Sequence, residues 1–101
     1  MTDQNITLDV MTTNMLERAR RNHAHASQRF QIIATHVEKY GTDEQIDEMI
    51  RDTLLLAGMA AALLGINDDV IANDTESVYR LVRHIERMLK WFLDLDMPEV
   101  D

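Results

Sequence analysis

The sequence has no cysteine and contains very little proline or glycine. Its 101 residues include one proline and three glycines. The absence of cysteine excludes disulfide bonds, thiolate-bound zinc and a cysteine nucleophile. Because proline and glycine supply most tight turns, their scarcity favours a few long helices with short connections. A chain of this length is expected to form one domain with a modest core, to which association would add appreciably.

Long hydrophobic runs and an excess of positive charge are also missing. The net charge is −8, which disfavours general nucleic-acid binding. The uncharged stretch at residues 53–64 is much shorter than the roughly 20 residues that a membrane-spanning helix needs. The polar N-terminus has no basic segment leading into an apolar one, the pattern of a signal peptide. We therefore expect a cytoplasmic protein with neither the membrane nor a specific DNA sequence as its partner.

Start and stop signals divide the chain into three helices. The predicted organisation is a flexible N-terminal arm at residues 1–12, helices at about 13–40, 43–64 and 75–95, and an acidic tail at 96–101. Gly41 and Gly65 are expected to end two helices in the left-handed conformation, and Thr42 with Gln45 gives a capping-box signature. Residues 66–74 are expected to be a loop with room for one helical turn.

Apolar residues at helical spacing predict which faces of the first and third helices are buried. The first helix has an apolar seam at Met15, Ala19, Ala26, Phe30, Ile33, Val37 and Tyr40, and the third has one at Val78, Leu81, Val82, Ile85, Met88, Leu89 and Phe92. The steps of three and four favour helices that run nearly parallel or antiparallel. The predicted fold is all-α, a three-helix antiparallel bundle or hairpin with a long first helix, completed by homo-oligomerisation.

The middle helix is apolar on all sides between Thr53 and Leu64, so all of its sides are expected to be buried. One face continues back into an amphipathic segment and is predicted to be the core face: Ile46, Ile50, Leu54, Ala57, Ala61 and Leu64. A second face is predicted to be the interface of a homodimer or higher oligomer: Leu55, Leu56, Met59 and Leu63. The alternative is that helices of the same chain cover this second face.

Two basic stripes are candidate sites for an anionic ligand such as a nucleotide. The third helix carries Arg80, Arg83, Arg87 and Lys90, with Trp91 beside them, and the first helix carries Arg18, Arg21, His25 and Arg29. Guanidinium groups match phosphate bidentately, and an aromatic ring can stack on a base. The competing interpretation is a solvated face, or ion pairs with the acidic start of the second helix at Asp43, Asp47, Glu48 or Asp52.

Histidine and carboxylate spacings predict neither a metal site nor a catalytic site. His23 and His25 are two residues apart, so on a helix they point to different sides and cannot hold one ion. The carboxylates of Glu44 and Asp47 resemble the first element of all-α nucleotide pyrophosphohydrolases, which hold magnesium, but the second E-x-x-D element is missing. We predict no cofactor, no metal and no enzyme, with a magnesium-dependent nucleotide hydrolase as the open alternative.

These features together predict a small acidic helical binding protein. The leading hypothesis is a regulator, adaptor or inhibitor of a macromolecular partner, of the kind that includes phage-encoded inhibitors, by analogy of size and charge. Its partners would be a second copy of itself and another protein. The alternative hypothesis is a binder of an anionic small ligand through the basic stripes.

Overall fold

The computed structural model describes residues 3–98, with side chains from residue 7 onward. Within this range the chain forms four helices and no strand: α1 (Asp3–Tyr40), α2 (Asp43–Gly65), α3 (Asp68–Asn73) and α4 (Thr75–Leu93). The predicted all-α class is therefore confirmed. The segment expected to be a loop contains the short helix α3, which is the single helical turn that the prediction allowed.

Helix α1 begins at Asp3, so the predicted flexible arm at residues 1–12 is wrong for residues 3–12. The start of α4 lies beside this part of α1, where the Thr75 hydroxyl donates to Asp9 Oδ1 at 2.7 Å. Thr12 is completely buried. Tertiary packing thus extends the helix beyond the point that its own periodicity indicates. Residues 1 and 2 and residues 99–101 of the predicted tail lie outside the described residues.

The connection between α1 and α2 combines a capping box with a close backbone approach. Thr42 Oγ1 accepts from the Gln45 backbone N–H at 3.2 Å, and Gln45 Oε1 accepts from the Thr42 N–H at 2.9 Å, as predicted. Gly41 does not have the expected positive φ. A Cβ at Gly41 would instead lie 2.5 Å from the Val37 carbonyl oxygen, so the absence of a side chain is what the site requires. Gly65 likewise has no positive φ and lies within α2.

Side-chain caps also start the last two helices. Asn67 accepts from the Val70 N–H at 3.0 Å at the start of α3. Asp74 accepts from both the backbone N–H and the hydroxyl of Ser77 at the start of α4. These bonds to Ser77 stabilise the carboxylate and lower the pKa of Asp74. Each cap pairs amides that would otherwise have no partner in the first turn.

Helix α2 runs antiparallel to α1. The Arg20 guanidinium donates to the carbonyl oxygens of Leu63 and Ile66, each at 2.8 Å, at the end of α2. Further along α1, the Leu56 carbonyl oxygen lies 2.8 Å from His23 Nε2. Arg20 therefore closes the C-terminal end of α2, the role expected of Gly65, and places a positive charge where the helix dipole favours one.

Helix α4 runs parallel to α1 and packs against it more extensively than α2 does. The contact between Asp9 and Thr75 marks one end of the pair, and the Arg29 guanidinium, which donates to the Leu95 carbonyl at 2.6 Å, marks the other. The molecule is elongated, with extents of 58 × 21 × 15 Å and a radius of gyration of 16.5 Å. A compact domain of this size has a radius of gyration of about 13 Å.

The core lies between α1 and the three helices packed on it. Its buried apolar residues are Met15, Leu16, Ala19, Ala26, Phe30, Leu56, Met59, Leu63, Ile66, Ile71, Val78, Val82, Ile85, Leu89 and Phe92. The rings of Phe30 and Phe92 meet edge to face, with centroids 5.6 Å apart. The predicted seams are confirmed over most of their length, except that Leu81 and Tyr40 are exposed.

Candidate interaction surface

The two faces of α2 are used in the opposite way from the prediction. Leu56, Met59 and Leu63, expected at an interface between subunits, are buried in the core of the chain itself. Leu55, the fourth residue of that set, is partly exposed. The alternative interpretation, that helices of the same chain cover this face, is therefore correct for three of the four residues.

The opposite side of α2 is an apolar surface that no described part of the chain covers. We call this surface the outer face of α2, and it consists of Ile50, Leu54, Ala57, Ala61 and Leu64. Leu54 is 67% exposed and Leu64 is 80% exposed. These five residues were predicted to be core, together with Ile46, which is half-buried. The prediction of their burial by the chain itself is wrong.

A groove between α2 and α4 continues this apolar surface. It has a volume of about 280 Å³ and is lined by Leu55, Gly58 and Met59 from α2 and by Leu81, Ile85 and Met88 from α4. A Cβ built on Gly58 would meet no obstructing atom of the described chain within 4 Å. The groove shows that α2 and α4 both rest on α1 without closing tightly on one another.

A second groove lies on the other side of α2, between α2 and α1. Its volume is about 350 Å³, and its lining includes Phe30 and Leu56 together with the polar residues His23, Ser27 and Gln31. The hydrogen bond between His23 and the Leu56 carbonyl holds the imidazole against α2. Apolar surface therefore borders α2 on both sides of its outer face.

The basic stripe of α1 lies on the side of α4 and not on that of the acidic start of α2. The Arg18 guanidinium donates to both carboxylate oxygens of Glu86, at 2.7 and 3.0 Å, and this pairing raises the pKa of Arg18. Arg29 is half-buried and bonds the chain just after α4. Arg21 and His25 are exposed. The predicted ion pairs of this stripe with Asp43, Asp47, Glu48 or Asp52 are therefore not formed within the described chain.

The basic stripe of α4 is exposed over its whole length, as its position opposite the core predicts. Arg80 pairs with Glu76 at 2.6 Å on the same helix. Arg83, Arg87 and Lys90 form no ion pair with any side chain in the part of the sequence that the structure describes. The stripe lies on a convex helix surface, where none of the described cavities is located.

Trp91 follows Arg87 by four residues, so it borders the basic stripe on the same side of α4. Its half-exposed indole packs against Phe92, with ring centroids 4.9 Å apart. With Glu48, Arg51 and Asp52 of α2 it lines a shallow depression of about 200 Å³. Partial burial, with a smaller contribution from the charge of Glu48, raises the pKa of Asp52. The two carboxylates make this depression a poor place for an anion.

The described part of the chain, residues 3–98 with side chains from residue 7, has neither a metal-binding cluster nor a membrane-spanning helix. In this range no three histidine, aspartate or glutamate side chains lie together in a way that could hold a metal ion. None of the four helices combines the length and the apolar character needed to cross a bilayer. Comparison with protein-family models, curated proteins and solved structures found no match for the chain. The outer face of α2 is the candidate site because it is a continuous apolar surface that no described part of the chain covers.

Proposed function

We propose that this chain acts by binding another protein through the outer face of α2, as a regulator, adaptor or inhibitor. The observation that supports the proposal is the exposure of a continuous apolar stripe on a helix with no charged residue between Asp52 and Asp68. Scattered apolar residues are normal on protein surfaces, whereas a contiguous apolar patch usually marks an interaction site.

The energetic argument follows from the exposed leucines. Burying a leucine side chain contributes about 1.5–3 kcal/mol. Leu54 and Leu64, being more than half exposed, would each gain most of that on association. The absence of charge across the stripe resembles the core of an interface, from which charged residues are depleted.

The charges around the stripe indicate the chemistry of the partner. Asp43 and Asp47 precede the outer face, and Asp68 and Asp69 follow it, all with exposed side chains. A partner surface with an apolar centre and basic residues at its rim is complementary to this arrangement. Such rim charges would mainly accelerate association with a basic partner surface.

The test is affinity capture from a lysate of the source cells, using the wild type, Leu54→Glu and the double variant Arg83→Glu/Arg87→Glu. We expect Arg83→Glu/Arg87→Glu to capture the same proteins as the wild type. Leu54→Glu should fail to capture them. Leu54 is exposed, so the far-UV circular dichroism of Leu54→Glu should match that of the wild type. If Leu54→Glu retained the same proteins as the wild type, the proposal would be wrong.

A second candidate function is the binding of a phosphate-containing ligand by Arg83, Arg87 and Lys90. The observation in its favour is that these three exposed cations have no acidic partner within the described chain. Titration of the wild type with ATP, followed by calorimetry, tests it. Binding that disappears in Arg83→Glu/Arg87→Glu and persists in Leu54→Glu would favour this function over protein binding.

A further inference from the structure

We propose that the first occupant of the outer face of α2 is the same face of a second copy of this chain, with the two α2 helices antiparallel and Ala57 next to the two-fold axis. This inference rests on the proposed function because it uses the same surface. It goes further by naming the partner, the direction of the helices and their register. Three independent observations support it: the surface area, the spacing of the stripe and the distribution of charge.

The solvent-accessible surface of the chain is larger than that of a compact monomer of its mass. The total is 7276 Å² for 11.7 kDa, whereas folded monomers of this mass expose about 5,900 Å². The surplus of about 1,400 Å² exceeds the roughly 800 Å² that each partner buries in an interface of standard size. The chain as a whole therefore exposes more surface than a compact monomer does, as a subunit that buries surface in an assembly would.

The spacing of the outer face makes it complementary to itself. An interface with two-fold symmetry needs one patch that matches its own rotated copy. Ile50 and Leu64 lie seven residues to either side of Ala57, so in an antiparallel pair each contacts the other across the axis. The middle of the stripe holds the small residues Ala57 and Ala61, which let two helix backbones approach closely, while the large side chains close the two ends.

The acidic start of α2 disfavours a parallel pair. Asp43 and Asp47 continue the line of the outer face toward its N-terminal end. A parallel pair would bring the carboxylates of both copies together at that end. In the antiparallel pair the two Asp47 residues are separated by about 30 Å along the helices, several times the screening length of about 8 Å at physiological salt. Asp47 then lies level with Asn67, one residue before the exposed Asp68.

Single-cysteine variants test the arrangement directly, because the chain has no cysteine of its own. The variants are Ala57→Cys, Ile50→Cys and Leu64→Cys, with the exposed position Arg83→Cys as the control for random collision. Each is oxidised with copper phenanthroline at low micromolar concentration and examined on a non-reducing gel. We expect Ala57→Cys to form cross-linked dimers at least tenfold faster than Arg83→Cys.

The two end variants should cross-link only with each other. An equal mixture of Ile50→Cys and Leu64→Cys should give dimers as readily as Ala57→Cys, whereas either variant alone should react no faster than Arg83→Cys. Combining Leu54→Glu with Ala57→Cys in one chain should reduce cross-linking to the rate of the Arg83→Cys control. Rapid cross-linking of Ile50→Cys alone and Leu64→Cys alone would instead indicate parallel helices and overturn the proposed arrangement.

Failure of this inference can be distinguished from failure of the proposed function. If every cysteine variant reacts at the control rate and sedimentation equilibrium gives a monomer, a second copy is not the occupant. Should Leu54→Glu still lose the proteins captured by the wild type, protein binding stands and self-association alone is refuted. When capture is also unaffected by Leu54→Glu, both proposals are refuted.

Discussion

Leu63 and Leu64 provide a sharp test of which side of α2 is buried, because they are consecutive and chemically identical. Leu63 is 2% exposed in the core, whereas Leu64 is 80% exposed on the outer face. Replacing each by alanine removes the same atoms from the same turn of the helix. Any difference in the free energy of unfolding therefore reports the difference in their surroundings.

The expected magnitudes differ by several kcal/mol. Truncation of a buried leucine to alanine costs about 2–5 kcal/mol, since it loses the transfer free energy and leaves a cavity. The same change at Leu64 should stay within about 0.5 kcal/mol in the monomer, as for most surface substitutions. Alanine even has a slightly better helix propensity than leucine. For a domain of this size about 1 kcal/mol shifts the Tm by 4–8 °C, so Leu63→Ala should lower it by at least about 8 °C.

Urea and thermal unfolding followed by circular dichroism measure both values. The experiment is done at two protein concentrations, because a dimer that uses Leu64 would make the effect of Leu64→Ala grow with concentration while that of Leu63→Ala remains. Equal losses in dilute solution, or a larger loss for Leu64→Ala, would place Leu64 in the core. That result would refute the orientation of α2 on which both proposals depend.

Two further substitutions test individual contacts. Arg20→Ala should lower the free energy of unfolding by about 1–2 kcal/mol, since two carbonyl groups at the end of α2 lose a charged donor. Arg21→Ala, at an exposed neighbouring position, is the control. An equal loss of stability in Arg21→Ala would contradict the capping role of Arg20. Asp52→Asn should raise stability at pH 7 by up to about 0.5 kcal/mol and leave it unchanged at pH 3. The raised pKa of Asp52 means that the folded state holds the proton more tightly, so stability falls as the pH rises from the unfolded value of 3.8 through the raised one. An equal effect at both pH values in urea unfolding would show that charge is not the cause.

Local signals in the sequence predict the start of α2 and the amphipathic character of α4. Thr42 and Gln45 form their capping box through contacts three residues apart, which a sequence displays directly. On α4 the apolar and charged residues occupy opposite sides, so the burial of Val82 and Leu89 and the exposure of Arg83 follow from spacing alone. The placement of basic residues opposite the core of α4 was predicted for the same reason.

The side of α2 that is buried could not be predicted, because the helix has apolar residues all round. Periodicity identifies a buried side only when the other side is polar. Continuity with Ile46 and Ile50 pointed to the wrong face, because the side of α2 that α4 approaches is the one that carries Met59. The roles of Arg20 and Arg18 depend on residues more than forty positions away, which no local pattern reveals.

Helix α4 ends well before the hairpin of α1 and α2 does. Leu95, just after α4, lies beside Arg29, and α1 continues from there to Tyr40 before α2 returns. No residue from 31 to 55 is fully buried. At this end of the molecule, separation of α1 from α2 therefore exposes little apolar surface and costs little free energy. Amide exchange should quicken along α1 toward Tyr40, so that one unbroken helix has a rigid half and a fluctuating half.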